Sequence, residues 1–124
     1  MMKRQNSVGA VSLTPLLRNG NTNGTAVDLS GYMAASVTFM CGAITNGTHT
    51  PALEDSDDNT TFAPVATANL SAAPVAFTAN SVQHIEYLGA RRYLRAQVNS
   101  DGANGAIYGA FIERGRAMQN DAVR

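Results

Sequence analysis

The sequence has 124 residues, enough for one domain with a modest core. Nine basic residues balance nine acidic ones, so the basic excess of a dedicated nucleic-acid binder is missing. No apolar run approaches the roughly 20 residues of a membrane helix, and Met1-Met2-Lys3-Arg4 leads into no apolar core, so neither a membrane span nor a signal peptide is expected.

In chain order, residues 1–24 are polar, with Asn19-Gly20-Asn21-Thr22-Asn23-Gly24 as a flexible stretch. Only Val8, Val11, Leu13, Leu16 and Leu17 are available to anchor this segment, which reads as an extended arm carrying one short strand at most. A strand is expected over residues 25–29. The clearest strand covers residues 35–44, where Val37, Phe39 and Cys41 alternate with Ser36, Thr38 and Met40. Asn46-Gly47 is a strong turn signal, and residues 49–55 read as the partner strand with Leu53 inward. The acidic run Glu54-Asp55-Ser56-Asp57-Asp58-Asn59 ends it.

Strand character resumes over residues 61–66, with Pro64 indicating an edge. One helical turn capped by Asn69 fits residues 66–73 before Pro74. Strands follow over residues 81–88, 92–99 and 106–113. In the second of these, Leu94, Ala96 and Val98 share one face and Tyr93, Arg95 and Gln97 the other. About six to eight short strands with frequent turn signals predict a small all-β, antiparallel β-sandwich or barrel. The expected organisation is an extended N-terminal arm (1–24), a β-sandwich domain (25–113) and a C-terminal tail (114–124).

Chemistry-bearing residues are few. His49 and His84 lack a second His or Cys at metal-ligand spacing. The acidic run offers oxygen ligands for a hard cation but lacks the central Gly and the later bidentate Glu of a helical calcium loop, so a solvated turn is expected. Cys41, the single cysteine, sits in an apolar run and reads as a small buried hydrophobe. There is no Gly-x-Ser-x-Gly elbow, no selected carboxylate pair and no phosphate-cradling loop. No catalytic residue, cofactor or metal is expected. Arg91, Arg92 and Arg95 surround Tyr93, a combination suited to protein contacts more than to nucleic acid at zero net charge.

Several stretches resemble small β-sandwich proteins among the virion structural proteins of tailed bacteriophages. They are Ala26-Val27-Asp28-Leu29-Ser30-Gly31-Tyr32, Thr45-Asn46-Gly47-Thr48-His49-Thr50-Pro51 and Leu53-Glu54-Asp55-Ser56-Asp57-Asp58-Asn59. Tyr87-Leu88-Gly89, Arg92-Tyr93-Leu94-Arg95 and Gly105-Ala106-Ile107-Tyr108-Gly109-Ala110 complete the set, covering residues 25–115. Asn59 stands where relatives often carry glycine, and Phe62 supplies the following aromatic. The resemblance implies a virion role without an active site and does not fix the part of the particle. Two flexible termini on a compact sandwich suit a capsid decoration or cement protein, made in the host cytoplasm, as the first expectation. Its partners would be the major capsid protein or other virion proteins, and copies of itself as a trimer or dimer. A head–tail connector, a tail component and a glycan-binding module for host attachment are the alternatives. The last would draw on Tyr32, Tyr87, Tyr93 and Tyr108 as its aromatic platform. Val8, Val11, Leu13, Leu16 and Leu17 with Arg91, Arg92 and Tyr93 are the expected interface residues.

Overall fold

The computed structural model describes residues 7–18, 20–101 and 105–115. Strands β1 (Ser7–Arg18), β2 (Thr22–Asn23), β3 (Val27–Asp28), β4 (Ala34–Ile44) and β5 (Thr48–Ser56) are followed by β6 (Ala63–Pro64), β7 (Ser81–Tyr87), β8 (Tyr93–Asp101) and β9 (Ala106–Gly115). They form two sheets. One has the order β1-β9-β4-β7; the other has β2-β8-β5-β6 with β3 also on β8. The pairings are antiparallel, so the chain is an antiparallel β-sandwich.

The alternation in β4 sends Ala35, Val37, Phe39 and Cys41 inward, joined by Ile85, Tyr108, Ala110 and Ile112 from the same sheet. Leu53, Leu94, Ala96 and Val98 face them from the second sheet. Each fully buried aliphatic or aromatic side chain contributes about 1.5–3 kcal/mol relative to exposure. One open side is closed by the segment between β6 and β7, which inserts Leu70 and Phe77. The ring of Phe77 lies 6.0 Å from Phe39 and 5.5 Å from Tyr108, and its backbone N–H donates to His49 O at 2.8 Å.

Five sequence expectations need adjustment. The strand expected as the partner of β4 across Asn46-Gly47 is β5, which crosses to the other sheet and pairs with β8 and β6. The N-terminal arm is instead, over Ser7–Arg18, a twelve-residue strand paired with β9 along its length. Its irregular pattern has a cause: register shifts flank Leu13, and consecutive Ser12 and Leu13 are both buried, which breaks the two-residue period. Ser12 also crosses to the other sheet. Its hydroxyl donates to Thr25 O at 2.8 Å and accepts from Ala96 N at 2.9 Å. The strands expected over 25–29 and 61–66 shrink to Val27–Asp28 and Ala63–Pro64, the latter at the edge that Pro64 foretold. The helical turn is a 3-10 turn over Thr67–Asn69, preceded by Ala66 and ending at Asn69 instead of being capped by it. Finally, β9 runs through Arg114 and Gly115; the rest of the expected C-terminal tail, residues 116–124, lies outside the described residues.

Candidate functional site

The arginines around Tyr93 are engaged within the chain. Arg92 makes a bidentate pair with Asp28, at 2.9 Å to each carboxylate oxygen, and lies over the Tyr93 ring at 5.0 Å. The Arg92 guanidinium holds the Asp28 carboxyl down at about 2, aided by the Ser30 backbone N–H. Arg91 reaches Asp57 at 3.1 Å. Arg95 donates to Glu54 at 2.8 Å and stacks on Phe62, whose ring centroid is 4.0 Å away. Arg114 lies 4.9 Å over Tyr32 and donates to Asp28 O. For Arg91, Arg92 and Arg95 the acids they would seek on a neighbour are supplied in cis.

Beside this corner, Tyr87 ends β7 with its hydroxyl turned inward. It donates to Asp55 Oδ2 at 2.7 Å and accepts from Arg91 N at 3.1 Å. Burial, reinforced by the Asp55 carboxylate, pushes the Tyr87 phenol up to about 12. Gly89 makes this wrap possible, since a Cβ there would sit 2.5 Å from the Tyr87 hydroxyl oxygen.

The acidic run folds as a turn. Asp58 Oδ1 accepts from Thr60 N, Thr61 N and the Ser56 hydroxyl, each at 2.9 Å. These donors, the Thr61 N–H foremost, lower its carboxyl to about 2. Asn59 takes the left-handed conformation, φ 62°, which asparagine tolerates better than most residues. Among the described residues no group of three or more His, Cys, Asp or Glu is placed to hold a metal ion. His49 is buried, with Nδ1 2.7 Å from Ser100 Oγ and Nε2 2.9 Å from Asn46 O, anchoring the β4–β5 turn. His84 is exposed on β7 and meets Thr38 Oγ1 at 3.0 Å. Cys41 is buried, and desolvation raises its thiol above the ordinary value. Of the four tyrosines, Tyr87 and Tyr108 are in the core, while Tyr93 and Tyr32 lie beneath arginines.

The outward faces of the two sheets differ. Over β5 and β8 the outer surface is polar, with Thr50, Glu54, Arg95 and Gln97. On the four-stranded sheet, the row Glu86–Ser36–Glu113–Gly9 is polar and the next, His84–Thr38–Phe111–Val11, turns apolar at its β9 and β1 end. Then comes Val82–Met40–Gly109, with Pro15 packed over Gly109, where an added Cβ would meet the proline Cγ at 2.9 Å. Leu17 and Ile107 pair at the far end. Val11, Met40, Val82, Ile107 and Leu17 are 57%, 43%, 64%, 42% and 65% exposed, a band more apolar than isolated surface residues explain. Val11, Pro15, Met40 and Phe111 also line a dent of about 100 Å³ in it.

The expected interface residues therefore separate. Val11 and Leu17 stand in the apolar band, Val8 and Leu16 are exposed on β1, and Leu13 belongs to the core at 2% exposure. Arg91, Arg92 and Tyr93 belong to the ion-paired corner, away from the band. Met40, Val82, Ile107 and Phe111 join the band without being among the expected interface residues. The signal was present in β9, where Ile107 and Phe111 alternate with the inward Tyr108, Ala110 and Ile112, making that strand apolar on both faces.

No protein-family model and no curated protein matches the sequence. Among solved structures the chain is similar to a subunit from work describing Bacillus endospore appendages as a family of disulfide-linked pili. The TM-score is 0.54, covering 91% of this chain and 90% of that chain at 11% identity. That likeness shows the fold, an antiparallel β-rich sandwich.

Proposed function

We propose that this chain is a non-enzymatic structural subunit of a bacteriophage particle, a decoration protein that lies on the assembled head and bridges major capsid protein subunits. The observation that carries this is the exposed apolar band on one sheet face, set against a charged corner satisfied within the chain. The resemblance over residues 25–115 supplies the kind of particle. A flat sheet face with an apolar middle fits a lattice surface better than a small ligand, which takes a concave pocket. Binding the assembled lattice in preference to loose subunits stabilises the shell by mass action, and many weak contacts repeated over the shell make the effect large. The protein is made in the host cytoplasm and resides in the virion.

The test is to add the purified chain to particles lacking it and follow binding and heat resistance of the heads. Wild type is expected to bind and to raise the temperature of head disruption. Met40→Asp, which places a charge in the middle of the band, is expected to do neither. Equal binding by Met40→Asp would remove the band from the account.

The likeness to a pilus-forming subunit favours one second reading, a repeating component of a phage tail. The disulfide linkage belongs to that neighbour; this chain has one cysteine, and it is buried. Electron microscopy of labelled particles separates the two, by label on the head or along the tail.

A further inference from the structure

We infer that the N-terminal half of β1, Ser7 to Val11, is a pairing edge for a second copy of this chain, antiparallel and centred on Gly9. The inference deepens the structural-subunit reading and takes its biological purpose from it.

The two edges of the four-stranded sheet are treated differently. Along β7 the chain covers its own edge: Ser71 N donates to Glu86 O at 3.0 Å, Ser71 Oγ accepts from Glu86 N at 2.8 Å, and the Gln83 amide clamps both backbone groups of Val75. On β1, Thr25 covers Ser12 and the chain turns away. Residues Ser7 to Val11 pair with β9 on one side and, among the described residues, with nothing on the other. Such an edge is normally guarded by charge, proline or a covering segment. Ser7-Val8-Gly9-Ala10-Val11 carries neither charge nor proline.

Gly9 is the second observation. Glycine weakens a strand and is retained where another backbone comes close. Within the monomer it has no such reason, because an added Cβ would meet nothing within 4 Å and its φ is not positive. A second backbone beside it supplies the reason. Centred on Gly9, the antiparallel register sets Ser7 opposite Val11 and Val8 opposite Ala10, so small side chains meet branched ones throughout. Among the described residues the nearest like charges are the two copies of Glu113, each directly across from its own Gly9. Three strand spacings separate them, about 14 Å, beyond the roughly 8 Å screening length. Directly opposed residues in antiparallel strands point the same way, so both apolar bands face one side and a dimer sets both on one lattice.

The register is tested by cross-linking. Gly9→Cys is expected to form a disulfide dimer under mild oxidation, whereas Val11→Cys alone is not, since its two copies would lie about 13 Å apart at four residues of rise. An equimolar mixture of Ser7→Cys and Val11→Cys is expected to cross-link as a mixed dimer. Wild type should sediment as a dimer with a melting temperature that rises with protein concentration, and Gly9→Lys as a folded monomer whose melting temperature does not. A monomeric wild type, a dimeric Gly9→Lys, or cross-linking of Val11→Cys as fast as Gly9→Cys would each overturn the inference. These measurements need no particle, so a monomer that still decorates heads fails this inference alone.

Discussion

The Tyr87 hydroxyl donates to Asp55 Oδ2 at 2.7 Å and so ties the end of β7 in one sheet to β5 in the other. Asp55 is nearly buried, with Arg91 Nε 3.8 Å from its other oxygen, and the same hydroxyl accepts the Arg91 backbone N–H. One phenol therefore closes one end of the sandwich. Its removal leaves a buried carboxylate and a backbone donor short of a partner.

Tyr87→Phe should destabilise the fold by about 1–3 kcal/mol, the cost of stranding buried polar groups. Because folding raises this phenol from 10 to about 12, its contribution is complete below pH 10 and is lost as pH rises through 12. Denaturant unfolding at stepped alkaline pH checks both points: the gap between wild type and variant should narrow across that window. A constant gap would detach the phenol from the alkaline limb.

Gly89→Ala should cost about 1–3 kcal/mol by overpacking. The new methyl would lie 2.5 Å from the Tyr87 hydroxyl oxygen. In the Tyr87→Phe background most of the penalty should persist, since the ring carbons Cζ and Cε1 would still lie 2.6 and 2.7 Å from the new methyl. A double-mutant cycle on thermal unfolding measures the coupling.

Two carboxyls set the acid behaviour. Asp28 and Asp58 are held at about 2, against 3.8 ordinarily, by Arg92 and by the Thr61 and Thr60 backbone N–H groups. A depressed carboxyl stabilises the fold fully above its unfolded value and ceases to do so as pH falls through its folded one. Asp28→Asn combined with Asp58→Asn should lower the melting temperature at neutral pH and flatten its decline in acid. Calcium should leave the wild-type melting temperature unchanged, because the Asp58 oxygen nearest the loop is already occupied by three donors.

Arg92→Gln and Met40→Asp should behave oppositely. The arginine change removes the pair with Asp28 and should lower the melting temperature while particle binding persists. The methionine change lies on an exposed face and should stay within about 0.5 kcal/mol in stability. Its binding to heads should weaken at least about tenfold, equivalent to ~1.4 kcal/mol. Calorimetry and a pelleting assay on the same two variants separate the corner from the band.

Much of the fold was legible because β4, β5 and β8 obey the two-residue period, although the Asn46-Gly47 turn carries the chain from β4 in one sheet to β5 in the other instead of closing a hairpin. Several turn stretches singled out in the sequence are fold-forming. Thr45 donates to Gly105 O, the Asp58 turn closes on itself, and Tyr87-Leu88-Gly89 forms the inter-sheet tie. β1 was hidden because its register shifts around Leu13 break the period that identifies a strand. The apolar band was hidden for another reason. Met40 and Val82 stand among polar neighbours in sequence, and only the register of β7, β4 and β9 brings them together. The ion pairs of the arginine corner are hidden for the same cause, since Asp28 is far from Arg92 in sequence and next to it in space.

Copy number in purified particles, measured by quantitative mass spectrometry against the major capsid protein, tests the central claim most directly. A decoration protein predicts a number in the hundreds that scales with capsid subunits between heads of different size. A small fixed number would place the chain at a connector or tail, and its absence from the particle would contradict the virion reading outright.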